Sequence, residues 1–83
     1  MAKEKPIGKV IHYYDKISVA IVKLDKKFSV GKTVKFVKGD SVFEQTVKSM
    51  EMEHGKLTEA KKGDEVGIKV EKATKEGTLM YAA

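Results

Sequence analysis

The stretch from Phe43 to Val70 constrains the fold more than any other part of the chain. In its first half, Val47 lies on the same side of an extended strand as Phe43, but Met50 lies on the other side. One extra residue between Val47 and Met50 would bring both into a single buried row. The pattern therefore predicts a β-bulge, which bends a strand as a small closed barrel requires.

We place the bulge at Lys48 or Ser49. The four residues from Glu53 to Lys56 then form a turn, since Gly55 tolerates the positive φ that a tight reversal needs. In the second half, apolar residues alternate with small or charged ones, which predicts a half-buried strand containing Val66, Ile68 and Val70.

The rest of the chain also indicates strands and no helix. Further strands are predicted over Ile7–Tyr14, Ile17–Leu24, Thr33–Lys38 and Thr78–Tyr81. We therefore expect an all-β fold, a small closed antiparallel barrel of six or seven strands. Residues 1–5 are predicted to be a flexible N-terminus, residues 6–81 the single barrel domain, and residues 82–83 a tail.

Composition excludes several classes of protein. Eighty-three residues suffice for one domain, and no apolar run approaches the roughly 20 residues of a membrane-spanning helix. We expect no membrane partner. The first residues are not followed by an apolar segment of the secretory type, and the chain has no cysteine, so we predict a cytoplasmic protein.

The charge is unevenly distributed along the chain. Residues 1–38 contain ten lysines and three acidic residues, a net of +7, whereas residues 39–83 contain seven lysines and nine acidic residues, a net of −2. A basic half of this kind favours a polyanion such as RNA, although it is also compatible with a merely solubilising surface. All 17 basic residues are lysine, and the lack of arginine argues against sequence-specific readout.

Tyr13 and Tyr14 suggest where RNA would be held. They end the first strand beside Lys16, and aromatic rings interleaved with lysine are typical of barrels that bind single strands by stacking and charge. In the alternative interpretation, one ring packs inward and the other covers the surface. The candidate RNA-binding residues are Lys9, Tyr13, Tyr14, Lys16, Lys23 and Lys35.

The second strand offers an alternative function. Its inner row, Ala20, Val22 and Leu24, is matched by an equally apolar outer row of Ile17, Val19 and Ile21. An apolar outer face in so small a domain has to be covered by the terminal segments, by a second copy or by another protein. The chain is then a protein-interaction module, with a protein partner or a homodimer.

No catalytic group is apparent. Gly31-Lys32-Thr33 has the end of a phosphate-binding loop but lacks its earlier glycine and the following helix, so we interpret it as a strand turn. His12 and His54 are far apart and have no second ligand at metal spacing. We therefore expect no catalytic residue, no cofactor and no metal, and a protein that is not an enzyme.

A family resemblance rests on two strings, V-K-S-M at 47–50 and A-K-K-G-D-E-V-G-I at 60–68. Both are similar to the second half of domain 2 of the translation GTPases, the β-barrel of elongation factor Tu and initiation factor 2. Upstream, Gly8-Lys9-Val10, Val19–Val22 and Ser29–Val34 resemble the first strands of that barrel. Lys32 departs from the family, which usually has Asp there.

The resemblance implies a stand-alone, domain-2-like barrel over residues 7–81 that associates with RNA or the ribosome without sequence readout. The ribosome-facing hairpin tip of the family corresponds to Tyr14–Ile17, which lacks the glycines of elongation factor Tu. A similar barrel also occurs as a C-terminal accessory module of collagenase-like peptidases and as the core of a pseudouridylation-complex protein.

Overall fold

The computed structural model describes residues 5–52 and 55–82, and every element within them is a β-strand. The strands are β1 Gly8–Tyr14, β2 Val19–Leu24, β3 Phe28–Ser29, β4 Thr33–Lys38, β5 Ser41–Thr46, β6 Met50–Met52, β7 Gly55–Leu57, β8 Glu59–Ala60, β9 Glu65–Lys69 and β10 Leu79–Ala82. All pairs are antiparallel, so the predicted all-β antiparallel class is confirmed. No helix in the described residues could span a membrane.

The main sheet has eight strands in the order β5-β4-β10-β1-β2-β9-β6-β7, and β3 pairs with β8 in a separate small sheet. No ladder joins β5 to β7 within the described residues, so the predicted closed barrel is not confirmed. The predicted number of six or seven strands is too low. The reason is that the bent strand is divided into β5 and β6, and that the short pair β3 and β8 carries too little periodicity to be predicted.

The bend between β5 and β6 is the feature that the sequence predicts best. Val47 and Met50 are both fully buried, as expected. The bend is not a bulge within one ladder, because β5 ends at Thr46 and pairs with β4, while β6 begins at Met50 and pairs with β7 and β9. At the bend, Val47 accepts a hydrogen bond from the N–H of Gly31 at 2.7 Å and donates one to the carbonyl of Lys32 at 2.9 Å.

A buried amide joins β5 to the chain that follows β9. The side chain of Gln45 donates to the carbonyl of Lys69 and accepts from the N–H of Glu71, both at 2.8 Å. Gln45 is 7% exposed, so both bonds are shielded from water. The two regions are thus linked by a side chain where backbone pairing is missing.

The core follows the period of two. The buried apolar side chains are Ile7, Val10, Ala20, Val22, Leu24, Phe28, Val34, Phe36, Val47, Met50, Ala60, Val66, Ile68, Val70 and Met80. The expected inward rows of β2, β4 and β9 are therefore confirmed. A register shift between Val10 and His12 makes Ile11 an extra residue in β1, a bulge that the sequence did not predict.

Turn chemistry agrees with the prediction where the structure describes it. Gly55 has a φ of 132°, a value that favours glycine. Glu53 and His54, of the same predicted turn, lie outside the described residues. So does most of the predicted N-terminal segment 1–5. Ala82, predicted as part of the tail, pairs with Val34 at the end of β10.

Candidate functional site

The six residues predicted to bind RNA lie on β1, β2 and β4 and in the turn after β1. Lys9 and Lys23 face each other across β1 and β2, and Lys35 lies on β4 opposite Tyr81. Lys16 lies in the turn after β1. Tyr14 is 50% exposed, whereas Tyr13 packs against the core. The tyrosine pair therefore follows the alternative interpretation, with one ring inside and one outside.

Other candidate positions have structural roles. Gly31 has a φ of 92° and immediately precedes Lys32 and β4, so Gly31-Lys32-Thr33 is a strand turn. His12 lies 3.3 Å from a carboxylate oxygen of Glu76. Within residues 5–52 and 55–82, no three His, Asp or Glu side chains are grouped as a metal site requires.

A hollow on the outer face of β2 and β9 is a candidate site. We call it the outer groove, and its volume is about 250 Å³. It is lined by Tyr14, Ile17, Val19, Ile21, Ser49, Glu51, Met52, Glu65 and Gly67. The outer row predicted from the sequence thus lines a concave surface and is not a flat patch.

Gly67 contributes only backbone to the lining of the outer groove. Gly67 lies opposite Ile21 in the β2–β9 ladder and opposite Glu51 in the β6–β9 ladder. A Cβ atom at Gly67 would lie 3.2 Å from Cγ1 of Val19 and 3.4 Å from Cδ1 of Ile21. The side chains of Val19 and Ile21 therefore lie beside the backbone of Gly67, which forms the floor of the groove.

Ile17 is displaced from its predicted place. The prediction had β2 starting at Ile17, but the strand begins at Val19, because Ser18 takes a positive φ of 54° in the turn. Ile17 is consequently 61% exposed at one end of the outer groove. Val19 and Ile21 remain half-buried. Met52, 37% exposed, also lines the groove.

The two charged residues that line the outer groove are both acidic. Glu51 and Glu65 line it, and a shallower hollow that shares Tyr14, Ile21, Met52 and Glu65 adds Asp64. No lysine lines either hollow in the described part of the chain, although the protein carries a net charge of +5. The groove is thus lined by apolar and acidic side chains on a protein of net positive charge.

Sequence reasoning found part of this site. The parity of β2 identified the outer row, but Met52 and the two glutamates were not singled out, because their positions depend on the pairing of β6 with β9. One signal was available: a glycine in the middle of an otherwise alternating strand, as at Gly67, often marks a close approach.

Comparison with known proteins indicates a different family from the one expected. The chain is 37% identical over 76 residues to a protein of Methanocaldococcus jannaschii named as an uncharacterized protease. The match covers 90% of this chain, which spans only 19% of the length of that relative. No protein-family model matches the chain.

The solved structures that resemble this chain are also named as part of a peptidase. The C-terminal domain of a Geobacillus thermoleovorans protein assigned to the U32 peptidases superimposes with a TM-score of 0.88 at 23% identity, covering 100% of this chain and 98% of that one. Its selenomethionine variant gives 0.86 at 24% identity, covering 93% and 98%.

These findings correct the family assignment. The identification as domain 2 of a translation GTPase, the predicted association with RNA or the ribosome, and the expectation that the protein is not an enzyme are wrong, since the relatives are named as proteases.

The physical reason lies in the strings that carried the resemblance. They consist of buried strand positions such as Val47, Met50, Val66 and Ile68 and the turn glycine Gly63, which a bent antiparallel sheet needs whatever its function. The resemblance to C-terminal modules of peptidases agrees with the names of the relatives. The chain thus has the fold of the C-terminal domain of the Geobacillus thermoleovorans U32 peptidase.

Proposed function

We propose that this chain serves as a domain of a U32-type peptidase. The observation that carries the proposal is the 37% identity to the Methanocaldococcus jannaschii protease over 90% of the chain. The shared fold with a C-terminal peptidase domain supports it independently. Both relatives are named for peptide-bond hydrolysis, so this domain acts in the same process.

Within such a peptidase, the domain contributes a surface that contacts polypeptide. This part of the proposal is supported by the outer groove, whose exposed Tyr14, Ile17 and Met52 are apolar side chains without cover from the described residues. Contiguous exposed apolar surface marks protein contacts. The remaining four fifths of the length of the relative leave ample room for hydrolytic residues elsewhere.

The domain works as a rigid unit, and we infer that its curved sheet acts as a barrel closed by side chains. The support is the double hydrogen bond of Gln45 to Lys69 and Glu71, which bridges the region between β5 and the chain after β9. A cytoplasmic location remains part of the proposal, on the absence of cysteine.

A chimeric enzyme tests the proposed function. The matching segment of the Methanocaldococcus jannaschii protein is replaced by this chain, and hydrolysis of fluorescently labelled unfolded casein is compared with that of the parent and of a version lacking the segment. We expect the chimera to keep about half of the parental rate or more, and the deletion to lose about tenfold.

A third version controls for mere bulk. It carries an unrelated soluble β-domain of similar size in place of the segment, and we expect it to behave as the deletion does. A folded chimera with no more activity than this control would refute the proposed function.

A further inference from the structure

We propose that the outer groove binds an extended peptide segment that presents a large apolar side chain next to a lysine or arginine. The inference rests on the proposed function, because a domain of a peptidase meets unfolded polypeptide. It names the chemistry of the occupant, which neither the fold nor the relatives specify.

The apolar part of the site is the floor and walls around Gly67. Val19 and Ile21 flank the bare backbone of Gly67, and Ile17 and Met52 stand at the margins. A methionine in such a place adapts to side chains of different shape. The site therefore accepts apolar residues without selecting one of them strictly.

The size of the outer groove favours a peptide over a folded partner. The outer groove, about 250 Å³, shares four lining residues with the shallower hollow, about 560 Å³, so the two form an open surface that fits a part of a chain and not a pocket that encloses a small ligand. A stable contact with a folded protein buries about 800 Å² on each side, far more than one such hollow provides. An extended segment fits a hollow of this size, because successive side chains point to opposite sides, so that one enters the groove and the next points away from it.

The basic residue of the peptide is selected by charge. Glu51 and Glu65 line the outer groove, and Tyr14 lines both the groove and the shallower hollow. Carboxylates beside an aromatic ring provide both an ion pair and a cation–π contact for a lysine or arginine head group.

The two glutamates remain available for this contact. Lys56 lies opposite Glu51 across β6 and β7, and Lys23 lies opposite Glu65 across β2 and β9. Neither pair forms an ion pair among the described residues, where the ion pairs are His12 with Glu76 and Lys27 with Glu59. Contact with these two carboxylates offsets the long-range repulsion between a cationic peptide and a protein of net charge +5.

Fluorescence anisotropy of the 83-residue protein tests the inference. The probe is a fluorescein-labelled peptide with a central Leu-Arg-Leu between glycine and serine residues, and two matched probes carry Leu-Glu-Leu or Ser-Arg-Ser. We expect the Leu-Arg-Leu probe to bind about tenfold more tightly than either.

Variants locate the binding. Gly67→Ala fills the floor, and the double variant Glu51→Gln with Glu65→Gln removes the charge without changing shape. Each is expected to weaken Leu-Arg-Leu binding about tenfold, and the double variant to abolish the preference for arginine over glutamate. Glu44→Gln removes an exposed acid on β5 outside the groove and serves as the control with parental binding.

Three outcomes would overturn the inference: no binding by the parent, equal binding of the three probes, or parental binding by Gly67→Ala. A fourth outcome would also overturn it: a parent protein that sediments as a dimer and a Gly67→Ala variant that sediments as a monomer. That result would mean that a second copy of the chain occupies the groove. This experiment and the chimera test different claims. Peptide binding together with an inactive chimera would refute only the proposed function. An active chimera without peptide binding would refute only the proposed binding by the groove.

Discussion

Gly8 shows how a single residue sets the spacing of two strands. It lies in β1 opposite Leu24, and an added Cβ atom would meet Cγ1 of Val22 at 2.6 Å and the carbonyl oxygen of Lys23 at 2.8 Å. The backbone of β2 cannot yield without losing the ladder. Gly67 differs, because its nearest neighbours are side-chain methyl groups at 3.2 Å and 3.4 Å.

We therefore predict that Gly8→Ala lowers the free energy of unfolding by about 2 kcal/mol, as overpacking does. Gly67→Ala should change it by less than about 1 kcal/mol, since relief of glycine entropy offsets the closer contacts. Urea denaturation followed by circular dichroism measures both. Equal destabilisation by the two substitutions would contradict the difference that we derive from these contacts.

Gln45 is the second residue with a predicted effect. Gln45→Leu keeps the apolar volume but leaves the carbonyl of Lys69 and the N–H of Glu71 without their partner, which costs about 2 kcal/mol or more in a buried setting. Denaturation of Glu44→Leu, at the exposed neighbouring position, gives the matched control. A loss below about 0.5 kcal/mol would mean that water replaces the amide.

At the scale of elements, the sequence predicted what alternation alone can determine. Inward positions such as Phe36 and Ile68 followed directly from the period of two, and Gly55 from the need for a positive φ. The pairing of the strand after the bend was not predictable, because β5 pairs with β4 whereas β6 pairs with β9, and that change of partner depends on contacts distant in sequence. For the same reason, the outer row could be predicted from the sequence, but the groove could not.

The bend itself gives the element-scale prediction. Val47→Asp places a carboxylate at a fully buried position whose backbone already bonds Gly31 and Lys32, a cost of several kcal/mol against a total stability of roughly 5–15 kcal/mol. We expect loss of the cooperative thermal transition. Lys48→Asp, at the next and exposed position, should melt close to the parent; a cooperative transition in Val47→Asp would show that the bend is not part of the core.

At the scale of the whole molecule, the distribution of charge along the chain led to a wrong prediction, because the sequence does not show which residues the fold brings together. The basic N-terminal half suggested a polyanion such as RNA, but the relatives of this chain are named as proteases. The acidic outer groove draws Glu51 and Glu65 from the C-terminal half. Residue order along the chain therefore hides a site where acidic and apolar side chains come together.

The central claim, that this domain holds polypeptide for a U32-type peptidase, is tested most directly by the steady-state kinetics of the chimera with and without Gly67→Ala. The substrate is a peptide that carries Leu-Arg-Leu beside a quenched fluorophore pair. Because the groove contacts substrate away from the scissile bond, the account predicts a KM raised about tenfold at an unchanged kcat. An unchanged KM, or a fall in kcat alone, would contradict it.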